Sequence, residues 1–311
     1  MDQELPVNRE FMLPPHYSGI ISKAVDFLGG VRSAKSVIPT LAGTKLSPKL
    51  FGVHTEPFAG GNVISARNHR DQLCFVVGDA APLSVWRSTS CPSLDKAKQR
   101  VARLLMGTDD PPFDVNVVFV PQWAYHIDLQ MLYVGNGTIA LHSFTKQLEL
   151  VNDFYFGARG GAKRERFGRP IKKLITTYRK IQSETRRVLE GAGLTVVETA
   201  GVFPLGVVDG HINNGRGMGP FFCFCNGLGV FPDKVLVAHD DDEDDQFIQF
   251  AFECFSNDMK EVGISVIPVG GHLGGELIKS DVRTFMYEQE GGLRCKITTL
   301  PKKIFRGSGF N

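Results

Sequence analysis

The chain has 311 residues, 42% hydrophobic and 22% charged, a plain globular composition long enough for one large domain or two ordinary ones. Its net charge of +2 gives no global field for nucleic acid or membrane, and no run of about 18 apolar residues offers a membrane span. Six cysteines, at positions 74, 91, 223, 225, 254 and 295, are too sparse for a disulfide framework, and Met1–Pro6 lacks a charged-then-apolar leader. Reduced thiols and a cytoplasmic setting are therefore expected.

Residues 1–50 hold short apolar pieces broken by Pro14-Pro15, Gly29-Gly30 and Pro39, with a possible helix over Ser18–Leu28. The first firm pattern is a hairpin, with a Gly60-Gly61 turn leading into Asn62–Ala66, then a polar turn and Leu73–Gly78. Ser93 is placed to cap a helix over Leu94–Met106, whose Leu94, Ala97, Val101, Leu104 and Leu105 share one face. Val115–Val120 follows as a buried strand. The same grammar returns with Ile127–Val134 and Thr138–His142 as a hairpin about Gly135-Asn136-Gly137, a helix over Ile171–Leu189 ending at Gly191, and a strand over Leu194–Glu198. It returns again with a hairpin of Phe221–Cys225 and Lys234–Ala238, a helix over Phe247–Glu261 closed by Gly263, and a strand over Ile264–Val269. A unit of hairpin, helix and strand cannot cover its own apolar face, so neighbouring units must stack.

Two stretches carry chemistry. Gly291-Gly292-Leu293-Arg294-Cys295 sets a thiol just after a glycine pair and just before Ile297–Thr299, which reads as a strand. A lone cysteine among apolar residues is ordinarily a small buried hydrophobe. What favours a functional thiol is Tyr125-His126-Ile127-Asp128, which supplies a base and its orienting carboxylate. On a strand, residues i and i+2 point to one face, so His126 and Asp128 are expected to share one cavity. Cys223 and Cys225 alternate with Phe222 and Phe224 on an apolar strand and read as packed thiols rather than metal ligands.

The order Gly60-Gly61-Asn62-Val63, His126-Ile127-Asp128, Asn226-Gly227 and Gly291-Gly292-Leu293-Arg294-Cys295 resembles the guanidino-group-modifying superfamily. That superfamily holds the arginine, agmatine and peptidylarginine deiminases, the dimethylarginine hydrolases and the amidinotransferases. The resemblance spans roughly residues 50–300, with specificity confined to those short motifs. It implies a five-bladed α/β propeller of the pentein kind, with pseudo-fivefold repeats and the site at the centre. Residues 1–311 would form one such domain, with 1–50 as a variable N-terminal segment. It further implies a cysteine hydrolase of an arginine-like substrate, working through a covalent thiouronium. Cys295 would be the nucleophile, His126 the acid and then the base, and Asp128 the group that orients the imidazole or accepts from the guanidinium. Arg294 would help to stabilise the thiolate. An amidinotransferase with the same Cys-His-Asp site and a non-catalytic propeller used as a binding module are the alternatives.

One departure matters. Many members carry an acid beside the Gly-Gly pair, whereas the flanking positions here are Ala59 and Asn62. Gly61 and Asn62 are still expected to line the substrate, and Glu56 is the nearest acid upstream, held by the stiffening of Pro57. The expected partner is a small-molecule or peptidyl guanidino compound, with no membrane, nucleic acid, cofactor or metal. The basic run Arg159–Arg169, with Lys172 and Lys173, is not patterned with stacking aromatics and reads as a solvated loop. Asp240–Asp245 reads as a helix N-terminal charge cluster.

Overall fold

The computed structural model describes residues 60–106, 115–156, 160–208, 220–230, 233–239 and 245–269. Glu56, Ala59, Arg294 and Cys295, together with the helix expected at Ser18–Leu28, lie outside the described residues. Among the described residues the architecture is α/β, built on a unit that occurs three times.

In the first unit, β1 (Val63–Arg67) pairs antiparallel with β2 (Leu73–Gly78). The chain then crosses through α1 (Ala80–Ser88) and α2 (Leu94–Met106) to β3 (Val115–Val120), which lies parallel to β2. Ser93 starts α2 as expected, its Oγ accepting from the Lys96 N–H at 3.2 Å. The strand periodicity of two explains the layering. On β2, Cys74 and Val76 pack with Ile64, Met131 and Ile139, while Phe75 and Val77 face the other way, onto Ala81, Val85, Ala97, Val101 and Leu105 of the helices.

The second unit repeats this order. Here β4 (Met131–Gly135) and β5 (Thr138–His142) form the antiparallel hairpin, and α3 (Phe144–Phe154) and α4 (Gly161–Gly191) cross to a parallel β6 (Thr195–Thr199). The turn at Gly135-Asn136-Gly137 takes three positive φ values, 103°, 48° and 71°, which is why two glycines flank an asparagine there. After β6 come β7 (Val202–Pro204), the single turn α5 (Leu205–Val208) and β8 (Pro220–Cys223), which pairs antiparallel with β7. The third unit joins β9 (Leu228–Val230) and β10 (Lys234–Ala238) antiparallel, then crosses through α6 (Gln246–Glu261) to a parallel β11 (Ser265–Val269). The Asp245 carboxylate caps α6, accepting from the Phe247 N–H at 2.9 Å.

Three expectations need correction. The third hairpin is β9–β10, because the apolar run at Phe221–Cys225 pairs with β7 instead. The hairpin of the second unit begins at Met131, since Ile127–Leu129 is a 3₁₀ turn. The long helix begins ten residues early, so the part of the basic run from Gly161 onward is helical rather than a loop. That extension passes through Pro170, which costs an interior helix roughly 3 kcal/mol. Burial of Phe167, Ile171 and Leu174 in the largest core offsets it, while the charges stay outside, with Arg169 and Glu165 paired at 3.0 Å.

Candidate functional site

Each of the three units opens with a 3₁₀ turn set just before its first strand: Gly60–Asn62 before β1, Ile127–Leu129 before β4 and Phe224–Asn226 before β9. The first turn meets the second and the second meets the third, although about 65 to 95 residues separate the members of each pair in the chain. The first two touch through Gly61. A Cβ placed there would sit 2.6 Å from His126 Nδ1, 2.8 Å from His126 Cγ and 3.1 Å from Asp128 Oδ2. Gly61 has no left-handed φ, so what requires a glycine here is the approach of two functional side chains to the backbone. The second and third turns are joined by Asn226, whose Nδ2 donates to the Asp128 carbonyl at 3.2 Å.

His126 is extended (φ −128°, ψ 144°) and caps the turn that carries Asp128. The two residues therefore share a site by a route other than a common strand face. A 3₁₀ turn has three residues per turn, and it sends Ile127 into the core with Ile64 and Leu129 into the one with Val202 and Cys223. Asp128 is 1% exposed, whereas the neighbouring Tyr125 is 55% exposed, with its ring centroid 4.6 Å from that of His126. One edge of the site thus faces solvent, while its carboxylate sits in a medium where charge interactions are strong.

Two glutamines that the sequence did not single out brace the 121–130 segment. Gln130 is buried; its Oε1 accepts from the Trp123 N–H at 3.0 Å and its Nε2 donates to the Pro121 carbonyl at 3.3 Å. Gln122 is more widely connected. Its Oε1 accepts from the Ala80 N–H at 3.1 Å, and its Nε2 lies 2.7 Å from the Ala124 carbonyl, 3.0 Å from the Tyr125 carbonyl and 3.2 Å from Asn62 Oδ1. Gly78 is a glycine for the same reason as Gly61, because a Cβ there would overlap Gln122 Oε1. Nearby, burial holds the Asp79 carboxyl above its ordinary range, against the opposing effect of the Gln122 N–H.

The buried thiols and His142 behave as packing. Cys223 and Cys225 are buried, and desolvation pushes the Cys225 thiol far up, as it pushes Cys74 up to about 11. His142 is fully buried with its ring edge-on to Phe144 at 4.7 Å, and desolvation pushes its pKa down to about 3. Among the described residues, no group of three or more His, Cys, Asp or Glu is placed to hold a metal, and no helix is long and apolar enough to cross a membrane. A separate cavity of about 460 Å³, walled by Tyr155, Phe167, Phe203 and Phe247, includes none of Gly61, Asn62, His126 and Asp128.

No protein-family model and no curated protein matches the chain. Among solved structures, an agmatine deiminase from C. jejuni aligns with a TM-score of 0.44 and 13% identity, over 85% of this chain and 61% of that one. A substrate-bound variant of that deiminase aligns with a TM-score of 0.44 and 12% identity, over 86% and 63%. SxtG, an amidinotransferase of the saxitoxin biosynthetic pathway from Microseira wollei, aligns with a TM-score of 0.37 and 10% identity, over 86% and 63%. The chain thus aligns with less than two thirds of the length of each of these proteins.

Proposed function

We propose that this protein is a cysteine-dependent enzyme that modifies a guanidino group, hydrolysing an arginine-like substrate. Cys295 is the nucleophile, His126 the acid and base, and Asp128 the carboxylate that accepts from the substrate or orients the imidazole. The observation that carries the reading is the meeting of Gly61, His126 and Asp128 at converging turns, each set just ahead of the first strand of a unit. In the sequence Cys295 occupies the same station, directly after a glycine pair and ahead of the expected strand Ile297–Thr299. A five-bladed propeller, with each unit sending its opening turn to the centre, accounts for that repetition.

The chemistry suits the residues. A guanidinium carbon is a poor electrophile because its charge is delocalised, so attack needs a thiolate, with a proton donor for the departing nitrogen. The Cys295 thiolate adds to the carbon, His126 gives a proton to the leaving amine, and the resulting imidazole then takes one from the attacking water. Buried Asp128 supplies negative charge beside a cationic substrate, where desolvation strengthens the attraction. Amidino transfer differs only in the second nucleophile, an amine in place of water.

The test is incubation of the full chain with a panel of guanidino compounds, following ammonia, amine and ureido product. Turnover that vanishes in Cys295→Ser and falls by about a hundredfold or more in His126→Ala is the expected result. Undiminished turnover in Cys295→Ser would remove the thiol from the mechanism.

A further inference from the structure

We propose that the outward face of α4 is a docking surface for the phosphate backbone of a duplex nucleic acid, which it contacts without reading sequence. This departs from the expectation of no nucleic-acid partner, which took the basic run for a loop.

The charge of the chain is concentrated on this helix. The whole carries +2, yet residues 161–180 hold eight Lys and Arg against a single acid, Glu165, so the other 291 residues together carry −5. In a loop such a run points in all directions, whereas a helix sorts it by its period. Phe167, Ile171 and Leu174 go into the core, while Arg169, Lys172, Lys173, Arg179 and Lys180 are exposed. At 3.6 residues per turn those five fall within one sector of about 120°, along about 16 Å of helix axis.

The arrangement works against the helix itself. Arg166, Arg169, Lys172 and Lys173 follow one another at three- or four-residue steps, where like charges repel. Compensation inside the fold is slight. Arg169 has Glu165 at 3.0 Å, but both side chains are largely exposed, and among the described residues no carboxylate pairs with Lys172, Lys173, Arg179 or Lys180. A polyanion laid along the face relieves that repulsion.

Which polyanion follows from what the face lacks. The exposed large apolar side chains among the described residues are Trp86, Tyr125, Phe156 and Leu205, none of them on α4. The face therefore has nothing to insert into a bilayer and no apolar centre for a protein interface. Phe167 is buried and Tyr178 stacks inward on Phe144, so no aromatic is offered to unpaired bases. What remains is Lys and Arg, which neutralise phosphates. About 16 Å of axis spans about five phosphates of one strand at about 3.4 Å per step, one for each of the five cations.

The test is fluorescence anisotropy of a labelled DNA duplex of about 20 base pairs, titrated with the full chain between about 50 and 200 mM salt. Binding in roughly the micromolar range at the low end, weakened about 500-fold at the high end, is expected for about five neutralised phosphates. Replacing Lys172, Lys173, Arg179 and Lys180 together by Gln should remove most of that salt dependence. The fourfold variant should melt no lower than the wild type, since Gln suits a helix as well as Lys does and the repulsion is reduced. Each single replacement should flatten the slope of log K against log salt by about 0.9, a graded loss that unfolding would not give. Absence of duplex binding at the lowest salt, a slope unchanged in the fourfold variant, or tighter binding of polyglutamate or of phosphatidylserine vesicles than of the duplex overturns the inference.

Discussion

Gly61→Ala places a methyl group against the two side chains proposed to do the chemistry. Its Cβ falls 2.6 Å from His126 Nδ1, about 0.8 Å short of ordinary contact, which begins at 3.4 Å. The backbone at Gly61 accepts an alanine because its φ is not left-handed, so the strain has to be relieved by the imidazole. His126 is only partly buried and can swing outward, so stability should fall by no more than about 1 kcal/mol, the low end for overpacking. A displacement approaching 1 Å at a group that must hand over a proton costs roughly a hundredfold in rate. The variant should therefore melt within about 3 °C of the wild type while kcat/KM falls by two orders of magnitude. The measurement pairs thermal denaturation with steady-state kinetics on any guanidino compound that the wild type turns over. Wild-type kcat/KM in a folded Gly61→Ala protein would show that the contact between these turns is not the reacting centre.

Two other perturbations test the packing around the site. His142 has its pKa depressed to about 3 by burial, against about 6.5 when unfolded, so its contribution to stability is complete above pH 6.5 and is lost as the pH falls towards 3. Urea midpoints should drop between pH 6.5 and 4.5 by the equivalent of on the order of 2 kcal/mol, and His142→Leu should flatten that limb; an unchanged acid slope in the variant would contradict the assignment. Gly229 lies where the second and third units touch, and a Cβ there would sit 2.6 Å from the backbone carbonyl of Tyr133, which cannot swing aside. Gly229→Ala should destabilise by about 1 to 3 kcal/mol in chemical denaturation, and a neutral effect would mean that β4 and β9 do not approach this closely.

The recurring unit was legible because its parts carry local signals. Ser93 ahead of an amphipathic run, Asn136 between two glycines, and Gly263 after the apolar face of α6 each mark a boundary by their own chemistry. Features set by partners far along the chain were not. The run at Phe221–Cys225 is equally apolar whether it pairs with β7 or with β10, and its alternation cannot choose between them. Helix α1 was not among the expected elements; its Pro82 lies in the first turn, where a missing N–H costs nothing. The helix expected from Ile171 begins at Gly161, and Pro170 is an interior residue held by packing. At the site, the sequence singled out Gly61, Asn62, His126 and Asp128, and the structure brings them together, though through a 3₁₀ turn and not a strand face. Gln122 and Gln130 carry no periodic or motif signal. Their role comes from backbone groups that only the folded loop brings within reach.

The central claim is that Cys295 attacks the carbon of a substrate held beside His126 and Asp128. Acid quenching of the enzyme during turnover of a guanidino compound, followed by peptide mass spectrometry, tests it most directly. The account predicts an amidino adduct on the peptide containing Cys295, absent from Cys295→Ser and formed and released more slowly in His126→Ala, since His126 serves both half-reactions. Turnover with no adduct on Cys295, or an adduct on Cys74, Cys223 or Cys225 instead, would contradict it.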